Sequence, residues 1–260
     1  MSILDEIAKY TYNRVEENKR IKPLNDIKQE ALAMSKGNFE FERALKKDGL
    51  SFICECKKAS PSKGIIVKDF LYLKIAKEYE TAGGDCISVL TEPKWFLGAD
   101  KYLKEIANEV KIPCLRKDFV VDEYMIYESK ILGAKAVLLI CAILSDENIK
   151  KYIKICDELG ISALVEAHDE NEIKKALNAG ARIIGVNNRN LNNFQVDTSN
   201  SIKLRQLVPK DIIFVSESGV KTAEDIKNIY DMGADAVLVG ETLVMADNKK
   251  EKLNYLKQLL

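Results

Sequence analysis

Histidine is almost missing from this chain: His168 is the only one among 260 residues. A metal site built on several imidazoles is therefore excluded, and no metal is expected. Charge excess is missing as well. Lys plus Arg is 40 and Asp plus Glu is 40, so the formal net charge is zero. Binders of nucleic acid or of membrane surfaces need a basic excess, and neither partner is expected here. No apolar run approaches the roughly 18 residues of a membrane helix. The opening MSILDEIAKYTY lacks the long apolar core of a signal peptide. The expected location is the cytoplasm. Cysteine is present but unpatterned: Cys54, Cys56, Cys86, Cys114, Cys141 and Cys156 lack the paired spacing of zinc sites. Most sit inside apolar runs, where a reduced thiol behaves as a small hydrophobe. No Gly-x-Gly-x-x-Gly follows any strand-like run, which removes the usual mark of an open dinucleotide-binding sheet.

What is present is a repeat. Short β-rich runs begin at Ser51, Asp85, Ile112, Ala134, Ile161, Ala181, Asp211 and Ala234, each followed by an amphipathic helical stretch. Several runs are almost continuously apolar, as parallel strands covered by helices require. Gly83-Gly84, Gly133, Gly180 and Gly233 precede a run, where a helix stops before the next strand begins. About eight such units predict an α/β fold, a (β/α)₈ TIM barrel, with an open doubly wound sheet as the structural alternative. The length suits one domain, residues 1–260, with the eight units in 49–260. Residues 1–48 fall outside the repeat and read as charged amphipathic helices broken at Pro23 and Gly37. They are expected to pack on the barrel. They either cover its mouth, with basic residues such as Lys22 near the substrate, or seal apolar surface. Oligomeric state stays open, a monomer among the options.

Alternate strand residues of a barrel face its interior, and functional groups gather at the C-terminal strand ends. Glu55 and Lys57 share one face of the first strand, with Cys54 and Cys56 on the helix-facing side. Lys117 ends the third strand, Glu166 the fifth, Asn187 the sixth and Glu217 the seventh. One charge inside an apolar run is commonly a structural ion pair, but six polar groups converging on one end point to a catalytic site. Ser218-Gly219 and Gly240-Glu241-Thr242 end the last two strands, where barrels often bind phosphate through backbone N–H groups. The Glu241 carboxylate is expected to point to solvent. Glu55 and Lys57 are expected opposite these phosphate loops. The loop Ser60-Pro61-Ser62-Lys63-Gly64 offers hydroxyls and a lysine, and is otherwise an ordinary βα turn. Trp95, Phe96, Phe119 and Leu191 lie near strand ends, where a planar substrate could stack.

These residues together resemble the indole-3-glycerol-phosphate synthase family of tryptophan biosynthesis, from the N-terminal extension to the last helix. The motifs are Glu55-Cys-Lys57-Lys-Ala-Ser60-Pro-Ser62, Leu115-Arg-Lys117-Asp-Phe119, Leu164-Val-Glu166, Gly185-Val-Asn187-Asn-Arg189-Asn-Leu191 and Ser216-Glu217-Ser218-Gly219. The resemblance implies a phosphorylated small-molecule substrate, 1-(2-carboxyphenylamino)-1-deoxyribulose 5-phosphate, closed to the indole with loss of carbon dioxide and water. It implies no cofactor. By the same resemblance Lys117 is the general acid of ring closure and Glu166 the acid/base of dehydration. Lys57 lies near the substrate carboxylate and phosphate, Glu55 and Glu217 orient the lysines, and Asn187 and Arg189 organise the cluster. Ser60, Ser218, Gly219, Gly240 and Glu241 would hold phosphate. Phe96, Phe119, Leu138, Leu191 and Leu238 would line the aromatic pocket. Two rivals remain: a sugar-phosphate aldolase using Lys57 or Lys117 as a Schiff base, and a non-catalytic sugar-phosphate-binding barrel.

Overall fold

The computed structural model describes residues 2–189 and 195–260. Its strands are β1 (Ser51–Cys56), a two-residue pair β2 (Ala59–Ser60) and β3 (Gly64–Ile65), β4 (Cys86–Leu90), β5 (Cys114–Lys117), β6 (Ala136–Ile140), β7 (Ser162–Ala167), β8 (Ile183–Asn187), β9 (Ile213–Glu217) and β10 (Ala236–Val239). β2 and β3 form a separate antiparallel hairpin just after β1. The other eight strands pair in parallel, each with its neighbour in sequence, and β1 closes the ring against β10. This is the expected (β/α)₈ barrel, and every barrel strand falls inside one of the eight runs.

The helix Asp146–Leu159 shows how the outer layer forms. Ser145 caps it by accepting from the Asn148 N–H, and Gly160 ends it at φ +69°. Ile149, Tyr152, Ile153 and Cys156 recur at helical spacing and are all buried against the strands. Burying each large side chain of this kind contributes about 1.5–3 kcal/mol.

The strands alternate between two apolar layers. Phe52, Cys54 and Cys56 of β1 face the helices, while Ile53 faces the barrel interior. Ala163, Val165 and Ala167 of β7 face outward, and Leu164 inward. Continuing the inward row by two residues gives Glu55 from Ile53, Lys117 from Leu115, Glu166 from Leu164 and Glu217 from Val215. Apolar filling at the bottom thus turns to charge at the top. The six cysteines are free thiols, all buried.

Three helices precede the barrel: α1 (Ile3–Ile21), α2 (Leu24–Ala33) and α3 (Glu40–Leu45). They serve opposite ends. On α1, Arg14 Nη2 donates to both oxygens of Asp118, at 3.0 and 2.8 Å, just beyond β5. Leu4 and Ile7 join the interior cluster there. α2 runs down the outside against the helix Tyr124–Ile131. α3 closes the bottom. Phe41 and Leu45 are fully buried, and the Glu42 N–H donates to Ser162 Oγ at the start of β7. Arg182, just before β8, pairs with Glu42 at 2.9 Å. Covering the mouth and sealing apolar surface therefore both occur, by different helices. Lys22 does neither. It pairs with Glu30 and lies away from the cavity, because it follows the end of α1 where the chain turns down the outside.

Candidate active site

At the C-terminal end of the barrel lies a cavity of about 680 Å³, a size suited to a small ligand. Glu55, Lys57, Lys117, Glu166, Asn187 and Glu217 all line it. Lys117 Nζ bridges two carboxylates, Glu166 Oε2 at 2.9 Å and Glu217 Oε2 at 3.0 Å. Lys57 Nζ pairs with Glu55 Oε1 at 2.5 Å. Asn187 hydrogen-bonds Glu166, and its Oδ1 accepts from Ser218 Oγ at 2.9 Å and from the Arg189 N–H at 3.0 Å.

Two glycines make room for these groups. A Cβ on Gly185 would lie 2.1 Å from Glu217 Oε1. A Cβ on Gly240 would lie 2.3 Å from Glu55 Oε1 and 3.0 Å from Lys57 Nζ. The second contact corrects the expected layout. Because β1 closes against β10, Glu55 and Lys57 sit beside the Gly240 loop rather than opposite it.

Three buried carboxylates, Glu55, Glu166 and Glu217, face two ammonium groups, and the His168 imidazole stands 3.5 Å from Glu166 as a third, titratable partner. Burial raises the Glu217 pKa to about 7, helped by repulsion from Glu166 and only partly opposed by Lys117. Its Oε1 is buried without a hydrogen-bond partner among the described residues. Burial also disfavours the Glu166 carboxylate, but the Lys117 and His168 charges outweigh it and lower the pKa. Burial would likewise neutralise Lys117, yet Glu166, Glu217 and Glu55 raise its pKa above the ordinary lysine value. Lys117 is thus a charged donor.

An apolar shelf flanks the polar ring. Phe96 and Phe119 meet with ring centroids 5.9 Å apart, and Leu138 and Leu238 line the same cavity. Leu191 lies outside the described residues. Trp95 does not line the cavity; it packs edge-on to Tyr10 of α1, centroids 5.4 Å apart. The cavity's far side is formed by Ser60, Arg189, Ser218, Gly219, Gly240 and Glu241. Ser218 and Gly219 both have positive φ, +68° and +97°. At Gly219 any side chain would also strike Thr198 and Val196. The Glu241 carboxylate does not simply point to solvent. It pairs with Lys63 of the β2–β3 hairpin at 3.2 Å, because that hairpin folds over toward β10.

Sequence reasoning missed three contributors. Ile3, Leu4 and Ile7 of α1 line the cavity, a face readable from their helical spacing. Asp118 also lines it, and anchors α1 through Arg14. His168 lies two residues after Glu166, in the turn just beyond β7, a spacing that could have flagged it; its Nε2 is 3.5 Å from Glu166 Oε1.

Fold and site define a class: a TIM-barrel enzyme with a ring of buried carboxylates and lysines at the C-terminal strand ends, beside the loops of Gly219 and Gly240. Among solved structures, 3-hexulose-6-phosphate synthase from Salmonella typhimurium superposes with a TM-score of 0.64 at 15% identity, covering 81% of this chain and 98% of that one. Thiamine phosphate pyrophosphorylase from Pyrococcus furiosus gives 0.59 at 13% identity, covering 84% and 96%. At that identity the likeness shows the fold alone. The particular family comes from the sequence. The indole-3-glycerol phosphate synthase family model matches residues 4–256. The synthase of Ruminiclostridium cellulolyticum is 56% identical over 256 residues, 98% of each chain. That of Thermoanaerobacter pseudethanolicus is 47% identical over 252 residues, 97% of this chain and 96% of that one. The chain belongs to the indole-3-glycerol phosphate synthase family and is an enzyme, a carboxy-lyase of tryptophan biosynthesis. Among the described residues no helix is long and apolar enough to cross a membrane.

Proposed function

We propose that the polar ring closes 1-(2-carboxyphenylamino)-1-deoxyribulose 5-phosphate to indole-3-glycerol phosphate by general acid–base catalysis. The observation carrying this reading is Lys117, held charged between Glu166 and Glu217 at the edge of an apolar shelf. Attack of the aromatic ring carbon on the ketone develops negative charge on oxygen, and Lys117 Nζ supplies the proton. Loss of carbon dioxide follows. Expelling the hydroxyl then needs a second acid, and restoring aromaticity needs a base; Glu166 serves both.

Lys57 meets the substrate carboxylate, with Glu55 holding its ammonium. Glu217 shares Lys117 with Glu166, and Asn187 with Arg189 orders the rim. The aromatic ring lies on Phe96, Phe119, Leu138 and Leu238. Phosphate is held by backbone N–H groups of Ser218, Gly219, Gly240 and Glu241, with Ser60 beside them. The whole chain works as one domain, because α1 completes the cavity and α3 seals the opposite end. A monomer in the cytoplasm is part of the same proposal; six free, buried thiols suit a reducing compartment.

Mixing the protein with the carboxyphenylamino-deoxyribulose phosphate should produce indole fluorescence. Folded protein that yields none would overturn the assignment. A Schiff-base aldolase needs a lysine whose pKa is depressed, whereas that of Lys117 is raised. Borohydride with substrate should therefore trap no adduct.

A further inference from the structure

His168 is the chain's only histidine, and the reaction as derived does not use it. Its ring sits between two carboxylates. Nδ1 lies 3.1 Å from Glu172 Oε2, on the following helix Glu170–Asn178. The same oxygen accepts the His168 backbone N–H at 2.7 Å, which fixes Glu172 as a brace. On the other side Nε2 lies 3.5 Å from Glu166 Oε1, while Glu166 Oε2 takes Lys117. His168 Nε2 is buried and has no hydrogen-bond partner among the described residues. Asn200, on the helix Ser199–Arg205, anchors the His168 carbonyl at 3.1 Å. The charged groups facing the ring are thus Glu166 from β7, Glu172 from its own helix and Glu217 from β9, with Lys117 behind Glu166.

This arrangement restricts the proton. An ionised Glu172 needs Nδ1 to be the N–H. A neutral ring would then turn the Nε2 lone pair toward Glu166 Oε1, an unfavourable facing that one proton held by the pair relieves. Either Nε2 carries it and Glu166 is a carboxylate, or Glu166 carries it and donates to Nε2. In the transfer the Nε2–H bond breaks, its electron pair stays on nitrogen, and an O–H bond forms on Oε1. Charge disappears from both partners. Glu166 passes that proton to the leaving hydroxyl, and the proton it then takes from the ring carbon returns from Oε1 to Nε2, which restores both partners.

We propose that His168 is a positioning and proton-relay residue for Glu166, braced by Glu172 and delivering a proton from Nε2 to Oε1 in each dehydration. The role rests on the reading of Glu166 as the acid–base group of that half-reaction. The 3.5 Å separation exceeds a normal hydrogen bond and closes in the reacting complex, as catalytic pairs often do.

A single imidazole gives one histidine signal in the NMR spectrum of the full chain, so its titration needs no assignment. In the wild-type protein it should titrate above the ordinary histidine value of about 6.5. Glu166→Gln should lower that midpoint by about half a pH unit or more, since it removes the facing charge. An unmoved midpoint overturns the proposal whatever Glu166 does in catalysis. The second arm is kinetic. Wild-type kcat should fall as pH rises through the His168 midpoint, because the relay needs the Nε2 proton. His168→Ala should lower kcat about tenfold or more with KM nearly unchanged, and should remove that alkaline limb. His168→Gln, which keeps a donor but cannot relay, should recover part of kcat and still lack the limb. A wild-type-shaped profile in both variants overturns the proposal, as does a loss confined to KM. Failure of the Glu166 reading would look different: Glu166→Gln would itself keep full turnover.

Discussion

The two ends of this barrel bury charge in opposite ways. At the bottom, α3 seals the strand starts with Phe41 and Leu45, and its carboxylates Glu40 and Glu42 are each met by cations. Glu42 with Arg182 and Glu40 with Lys135 keep partial contact with water. At the top, Glu55, Glu166 and Glu217 are almost wholly buried, and two lysines serve three carboxylates. The bottom is built for stability. At the top, burial and the neighbouring Glu166 put Glu217 in a range where it can exchange protons near neutrality.

Substitutions should separate the two. Lys117→Ala should lower turnover on the order of 10²–10⁴-fold while substrate still binds, measured by single-turnover indole fluorescence. Turnover near the wild-type value would show that the proton comes from elsewhere. Phe41→Ala should do the reverse, costing about 3–5 kcal/mol of stability in urea unfolding. Its kcat per folded molecule should be unchanged; a lower kcat would mean that the two ends are coupled.

Gly185→Ala sharpens the contrast inside the site. A Cβ there meets the far end of Glu217 rather than backbone, so the carboxylate moves and the strand persists. We expect kcat to fall about tenfold with the urea midpoint little changed. A collapse in stability instead would place the strain in the barrel wall.

The burial of Glu217 also has a pH signature. The Glu217 pKa is raised from 4.5 to about 7, so between those values the folded protein holds a proton that the unfolded chain has released. Its contribution to stability therefore declines as pH rises through that window. Urea midpoints at pH 5 and pH 8 should differ less in Glu217→Gln than in the wild type. An identical pH dependence would mean that Glu217 is ionised throughout. The smallest effect is expected at Lys22→Ala. Paired with Glu30 outside the cavity, Lys22 should change KM less than about twofold, within the range of exposed ion pairs.

Much of this architecture was legible in the chain. The eight runs and the glycines before them are local signals, and each reports one strand or one helix stop. The inward row was legible too, because a strand's period of two converts Ile53 into Glu55, or Leu164 into Glu166, without knowledge of neighbours. The arrangement around the ring was not. That Lys117 serves both Glu166 and Glu217 depends on three strands meeting across a closed barrel. The division of the first 48 residues between mouth and base is likewise invisible to periodicity, since amphipathic helices look alike wherever they pack.

By itself, then, the sequence determined which residues face inward and where charge replaces apolar filling, because alternation and strand length are properties of the backbone. Only the closed barrel decided which charges meet. Closure against β10 set Lys57 beside the Gly240 loop. Curvature of the ring brought Lys117 within 3.0 Å of Glu217, a residue 100 positions away. The turn after β7 set His168 against Glu166. Electrostatic coupling depends on distance and burial, and both exist only once the strands have met.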